Sequence, residues 1–445
     1  MLDRFLFRYI DNSALIVFRI FFGGLIFLEA IGAILTGWVT DTLVDPQFTF
    51  SFIGFEWLQP LPGNGMYFYF AIMGIFGFMV MIGYKYRLSI IAFSLLWTAT
   101  YLMQKTSYNN HYYLLVLLCG FMCVVPAHRY WSVDAKLNPG LRRINMPNWC
   151  RWIFILQMFI VYTYAAVAKI YPDWLDTSFI EILLKTKSHY YVIGDLLQQK
   201  WMHYFIVYSG ILFDALIIPL LLWKPSRKWA FGAAVFFHLF NSIVFQIGIF
   251  PYMSLALCLF FFEPKTIRNI FLKRKEIYTG HDIKIPTYRN AIITVIVIYF
   301  SIQLALPLRH HAFEDEVLWT EEGHRLSWRM MLRSRFGKTS FKVVDKATNN
   351  VTAIKLKEHL TPKQIRFVST HPDAIWQFSQ YLKSKFEAEG KTVEIYVDSH
   401  VKINKGKFER LIDPQVDLAA VHWKAFRHSP WILPSKLDRT KAANP

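Results

Sequence analysis

The chain has 445 residues, of which 54% are hydrophobic, 18% aromatic and only 18% charged, a balance that excludes an ordinary soluble protein of this size and predicts a membrane protein. The formal charge of +18 does not indicate nucleic-acid binding, because the lysines and arginines sit mostly in short loops between apolar runs and in the C-terminal third. Cys119, Cys123, Cys150 and Cys258 lie in or beside apolar runs, so no disulfide framework is expected outside the bilayer.

The first apolar run begins near Ser13, carries Arg19 and continues well past the length of a signal-peptide core, so it reads as a retained span. Further runs, each of roughly 17–25 residues, begin near Met66, Leu88, Asn110, Cys150, His203, Lys228 and Tyr288. Ile247 to Phe262 adds one more after a Pro-containing turn, and about nine transmembrane helices are expected. Alternate loops collect the cations: Lys85 and Arg87, then Arg129 to Arg151, then Lys224 to Lys228, then Lys265 to Arg289. Gly37 to Gly65 has none. The positive-inside rule therefore puts the N-terminus in the cytoplasm.

An odd number of spans sends the tail to the outer face, and the chain divides into a multi-span domain, 1–308, and an extracytoplasmic α+β domain, 309–445. In the tail, Phe341 to Asp345 and Val351 to Leu356 flank Asn349 and Asn350 as a hairpin would. Pro372 to Gly390 places Ile375, Phe378, Leu382 and Phe386 at helical spacing, and Thr392 to Asn404 alternates like a half-buried strand.

Ionisable groups at membrane depth are the candidate functional residues. Lys169 closes the apolar run from Trp152 and reads either as a snorkelling anchor or, desolvated, as a base. In this topology His111 reaches the same outer rim, beside Asn109 and Asn110, whose amides can bond a polar ligand. His238, Asn241 and Phe245 share one helical face, and an intramembrane histidine usually faces a cavity or a partner. Arg19 and Asp214, at similar inner-half depths, are expected to form a structural ion pair. Glu29 either lines the cavity or reaches water. His310 and His311, without carboxylate or cysteine company, do not make a metal site. No nucleotide-binding loop or zinc spacing occurs.

Six segments carry a family resemblance: KTSYNNHYYL at Lys105 to Leu114, HRYWSVD at His128 to Asp134, AVAKIYPDW at Ala166 to Trp174, FHLFNSIVFQIGIFPY at Phe237 to Tyr252, LSWRMMLRSR at Leu326 to Arg335, and RLIDPQVDL at Arg410 to Leu418. Together they resemble the vitamin K-dependent gamma-glutamyl carboxylases, the HTTM group of membrane proteins. The resemblance implies a lyase that uses reduced vitamin K (a naphthoquinol), O2 and CO2 to convert protein Glu into gamma-carboxyglutamate, releasing the quinone epoxide, with no metal, biotin or nucleotide. A Glu gamma-carbon proton is far beyond the reach of any ordinary side-chain base, so a stronger base must be generated in place. In the family a lysine at the position of Lys169 deprotonates the quinol, and oxygenation then yields the alkoxide that takes the Glu proton.

On this reading Lys169 and His111 are catalytic, and Asn110, Tyr162, His238 and Asn241 surround the quinone. Trp328, Tyr396, His400 and Arg410 fall in family-like segments that bind the Glu-containing peptide on the outer face. From Arg309 onward the tail carries 24 Lys and Arg against 16 Asp and Glu, which suits a Glu-rich peptide and equally suits anionic lipid headgroups. The partners implied are the bilayer, a quinone and an acidic protein, with no nucleic acid. The compact length suggests a bacterial-type homologue, its outer domain periplasmic in a diderm bacterium and lumenal in a eukaryote. Two other readings remain open: a quinol epoxidase that carboxylates no Glu, and a non-enzymatic quinone- or lipid-binding transporter or assembly factor.

Overall fold

The computed structural model describes residues 1–435. Its membrane part is built from α1 (Ser13–Leu35), α2 (Gly65–Ile82), α3 (Tyr86–Met103), α4 (Asn110–Val124), α5 (Trp149–Ala168), α6 (Ser178–Lys185), α7 (Lys200–Leu222), α8 (Arg227–Phe245), α9 (Phe250–Leu257) and α10 (Arg289–Leu308). Six of these, α1, α2, α5, α7, α8 and α10, are long and apolar enough to cross a membrane. At 18 residues α3 matches α2 in length. Two shorter apolar helices, α4 and the stretch Phe250–Phe261 that begins with α9, accompany them. Every expected span thus begins within about three residues of a helix, while the short α9 is the weakest candidate to cross.

Local chemistry sets these boundaries. The Asn109 side chain accepts from the Tyr112 backbone N–H at 2.7 Å and caps α4. Small residues bring α1 and α2 together: a Cβ at Gly77 would meet the Phe27 backbone nitrogen at 2.9 Å. At the membrane face opposite the outer domain, β1 (Tyr9–Asp11) pairs antiparallel with β2 (Asn145–Pro147). A buried ion pair, Lys275 to Asp11 at 2.7 Å, fastens that small sheet.

The outer domain is a four-stranded antiparallel sheet in the order β4-β3-β5-β6, formed by β3 (Arg335–Asp345), β4 (Val351–Ala353), β5 (Val393–Ile403) and β6 (Glu409–Arg410). The expected hairpin is present, turning through Asn349 at φ +56°. Helix α11 (Pro362–Val368) starts with a Thr361–Gln364 capping box, and α12 (Pro372–Ala388) follows. Ile375, Phe378 and Leu382 of α12 are fully buried with Ile395 and Val397 of β5, so one sheet face makes the core and the other stays open.

The two parts are joined by more than the chain. Phe50, from the loop between α1 and α2, is fully buried in the outer core, and Gln377 donates to the Ser51 carbonyl at 3.1 Å. Lys105 and Asp373 form an ion pair at 2.5 Å across the joint, and Arg325 reaches the same carboxylate at 2.7 Å.

Candidate active site

A cavity of about 90 Å³, partly open to the exterior, lies among α4, α5, α7, α8 and α9 near their outer ends. Its walls are mainly Phe, Ile and Met side chains, and a few polar groups converge on it, as in small-molecule sites generally. Lys169, His111, Tyr162, His238 and Asn241 all face it. The common face expected for His238, Asn241 and Phe245 is the face α8 turns to this space.

Lys169 caps the C-terminus of α5 and forms an ion pair with Asp214 of α7. The pairing corrects the expected Arg19–Asp214 contact. Arg19, 1% exposed, instead donates to the Trp131 carbonyl at 2.7 Å and to the Ala127 carbonyl at 3.5 Å. The physical reason is side-chain direction: side chains lean back toward a helix N-terminus, so a long lysine at the end of α5 reaches down into the bilayer, where α7 presents Asp214. Two backbone carbonyls take Arg19 instead of Asp214, while its buried Nε has no partner among the described residues.

The histidines are arranged around aromatic surface. The Tyr162 hydroxyl and His238 Nε2 lie 2.9 Å apart, and His238 is 1% exposed with Nδ1 left without a partner. His111 stacks on Phe250 with ring centroids 4.2 Å apart. Met330 and Met331 cover the cavity from the segment that links the outer domain to α10.

The other sequence candidates sit elsewhere. Asn110 donates to the Arg329 carbonyl at 2.9 Å and accepts from the Tyr108 hydroxyl at 2.9 Å, so its amide holds the Met330 segment instead of facing the cavity. Trp328, 1% exposed, stacks on Tyr113 at 4.9 Å. Tyr396, His400 and Arg410 lie together on the open face of the sheet, where His400 and Arg410 are register partners at 3.6 and 3.3 Å from Asp398. The Tyr396 hydroxyl donates to Glu394 at 2.9 Å. Those three are tied to the cavity indirectly: Asn404, at the end of β5, donates to Asp173 at 2.7 Å, four residues beyond Lys169. Sequence reasoning missed Asp214 as the partner of Lys169, and it missed Gly210, one helical turn earlier on α7. The i, i+4 spacing of that glycine and aspartate was the available signal. Glu29, near the outer end of α1, accepts from the Tyr112 hydroxyl at 2.7 Å.

At the joint above, charge is dense and lines a cleft of about 270 Å³ that includes Lys105, Glu321, Arg325 and Asp373. Burial works against the Glu321 carboxylate, but Arg333, His324 and Arg335 outweigh it and hold the group well below the usual range. Burial pushes Lys105 down to about 8, and Asp373 pulls the other way.

Comparison with known families decides the assignment. Residues 7–265 match the HTTM domain, and residues 288–438 match the lumenal domain of vitamin K-dependent gamma-carboxylase. The chain belongs to the vitamin K-dependent gamma-carboxylase family. In that family frame the C-terminal domain is extracytoplasmic, and the family uses reduced vitamin K, O2 and CO2. Among the described residues no cluster of metal-ligating side chains occurs. A mouse (Mus musculus) protein, glycerophosphodiester phosphodiesterase domain-containing protein 4, is 33% identical over 88 residues, covering 20% of this chain and 13% of that protein. No solved structure matches the chain.

Proposed function

We propose that this gamma-carboxylase family member is an integral membrane enzyme of nine spans with a cytoplasmic N-terminus. It couples oxygenation of a reduced naphthoquinol to CO2 addition at the gamma carbon of protein Glu and releases the quinone epoxide. The observation that carries this reading is the convergence on one apolar cavity of the Lys169–Asp214 pair, His111 and the unpartnered Nδ1 of His238. An aromatic diol fits that donor set, since its ring matches the Phe and Met walls and its two oxygens need polar partners at separate points.

When bound, the quinol supplies with O2 a base stronger than any side chain. The chain's own part is to start that chemistry and protect it. Lys169 Nζ, as the free amine, accepts the quinol proton, and the Asp214 carboxylate then forms the ion pair with the resulting ammonium and fixes its position, as a carboxylate does for a catalytic histidine. His111, and His238 oriented by Tyr162, bond the quinol oxygens, with Asn241 beside them. Asn110 acts by holding Met330 and Met331 over the cavity, where apolar cover keeps water from a carbanion. The Glu peptide approaches from the outer face, with Trp328 behind the cover and Tyr396, His400 and Arg410 along the open sheet.

Purified protein incubated with reduced naphthoquinone, labelled CO2 and Glu-rich peptides should yield epoxide and labelled peptide together. Epoxide without label would make the protein a quinol epoxidase, and neither product, with quinone demonstrably bound, would leave a binding protein.

A further inference from the structure

At the membrane face opposite the outer domain, the ends of α3, α4, α5 and α10 enclose a cleft of about 470 Å³, partly open to the exterior. Arg87, Arg129 and Lys284 line it, and no Asp or Glu does. The carboxylates nearby are already engaged. Asp134 accepts the Lys85 and Tyr86 backbone N–H groups at 2.8 and 2.9 Å, Asp3 pairs with Arg289 at 3.3 Å, and Asp282 takes the Tyr278 hydroxyl at 2.9 Å.

Arg87 is only partly neutralised. Its guanidinium donates to the Cys123 and Val124 carbonyls at the C-terminus of α4, which carry the helix's partial negative charge. Arg129 follows in the next turn, close enough that both guanidiniums act on His128; burial first, then Arg87, push that imidazole down to about 4, with Arg129 adding to the effect. Cations gathered at a membrane edge with no carboxylate among them favour an anion between them, the Asp134 charge lying outside the cleft.

The cleft also has the amphipathic form of an interfacial site. Trp149 and Tyr288 stand at the level where aromatic belts form, and Val124 and Ile292 make its apolar edge. The neighbouring span α10 is the least enclosed, with 11% of its apolar window buried, so a lipid chain can lie along it.

We propose that this cleft binds the phosphate of an anionic phospholipid, held by Arg87, Arg129 and Lys284, with its acyl chains leaving between α4 and α10. Soluble phosphate shares the oxyanion chemistry and lacks the apolar part.

The test is native mass spectrometry of the full chain titrated with phosphatidylglycerol and, separately, phosphatidylcholine. The cleft variant is Arg129→Gln/Lys284→Gln; Arg87 stays because it caps α4. A charge-matched control, Lys228→Gln/Lys273→Gln, removes two exposed cations elsewhere on the same face. The wild type should retain one phosphatidylglycerol in preference to phosphatidylcholine, and the cleft variant should bind it roughly 10- to 30-fold more weakly. Equal losses in cleft variant and control, or equal retention of the two lipids, would overturn the proposal. Displacement of the lipid by millimolar inorganic phosphate would make the occupant a free anion and overturn the lipid assignment, whereas persistence of the lipid supports it.

Discussion

Lys105, buried, and Lys169, partly buried, each face one aspartate, in settings that differ in what lines the space beyond the pair. Lys105, 1% exposed, shares Asp373 with Arg325, and that carboxylate joins the interlocked Glu321, Arg333 and Arg335 network of the joint. Burial opposes the charge on Asp373, but Arg325 and Lys105 hold its carboxyl well below the usual range. Lys169 has Asp214 to itself among the described residues, and the space next to the pair is an apolar cavity. The Lys105–Asp373 pair also borders free space, a cleft of about 270 Å³, but Arg309, Glu321, Glu322 and Arg325 line it and an arginine shares the carboxylate. The Lys169–Asp214 pair opens instead onto mainly apolar walls, the setting an aromatic reactant needs.

The largest effects should separate the two. Lys169→Ala is expected to lower quinol epoxidation per folded molecule about 10²–10⁴-fold, as loss of a general base does, alongside some loss of stability from leaving the buried Asp214 unpaired. Partial restoration by an added small amine would sharpen the assignment, and full activity in the variant would refute it. Asp373→Asn should do the reverse. Removing one partner of a buried pair leaves Lys105 uncompensated, at a cost of about 3–5 kcal/mol. Thermal unfolding should show that loss, while activity per folded molecule stays close to wild type.

The contrast also explains what the sequence made legible. Helix starts were readable because apolar runs are bounded by polar caps such as Asn109, and the strand Val393–Ile403 was readable because its side chains alternate between core and open face. Helix direction and depth placed Lys169, His111, His238 and Asn241 near the outer rim, and Tyr162 joined them through the family resemblance and its spacing of two helical turns from Lys169. The Asp214 contact was not readable, because depth counted along helices ignores how far a lysine side chain reaches back. Nor was the joint: Phe50 and Lys105 belong by sequence to the membrane part and by packing to the contact with the outer domain.

Acid should loosen the joint. His371 lies 3.9 Å from Glu321, and burial lowers it to about 4, with Glu321 opposing and Arg335 adding to the fall. Because that value lies below the ordinary histidine value of about 6.5, the unfolded chain binds more protons between the two. Stability is therefore full above pH ~6.5 and falls as pH drops toward ~4, by about 3 kcal/mol for this group. Thermal melts across that range should show the slope, and His371→Gln should flatten it. A slope unchanged in the variant would assign it to other groups.

The smallest effect tests the open space beside Lys169. A Cβ at Gly210 would meet nothing within 4 Å, and the residue lines the cavity. Gly210→Leu should fold at least as well, since leucine favours a helix interior by roughly 1 kcal/mol over glycine. The new side chain occupies volume a quinol ring would need, so KM for the quinol should rise roughly 3- to 10-fold with a smaller change in kcat. Gly120, on the exposed side of α4, also has nothing within 4 Å of an added Cβ, so Gly120→Leu adds the same bulk outside the cavity. Its KM should match the wild type. If both variants left KM unchanged, the quinol would lie outside this cavity, and the apolar setting of Lys169 would no longer set it apart from Lys105.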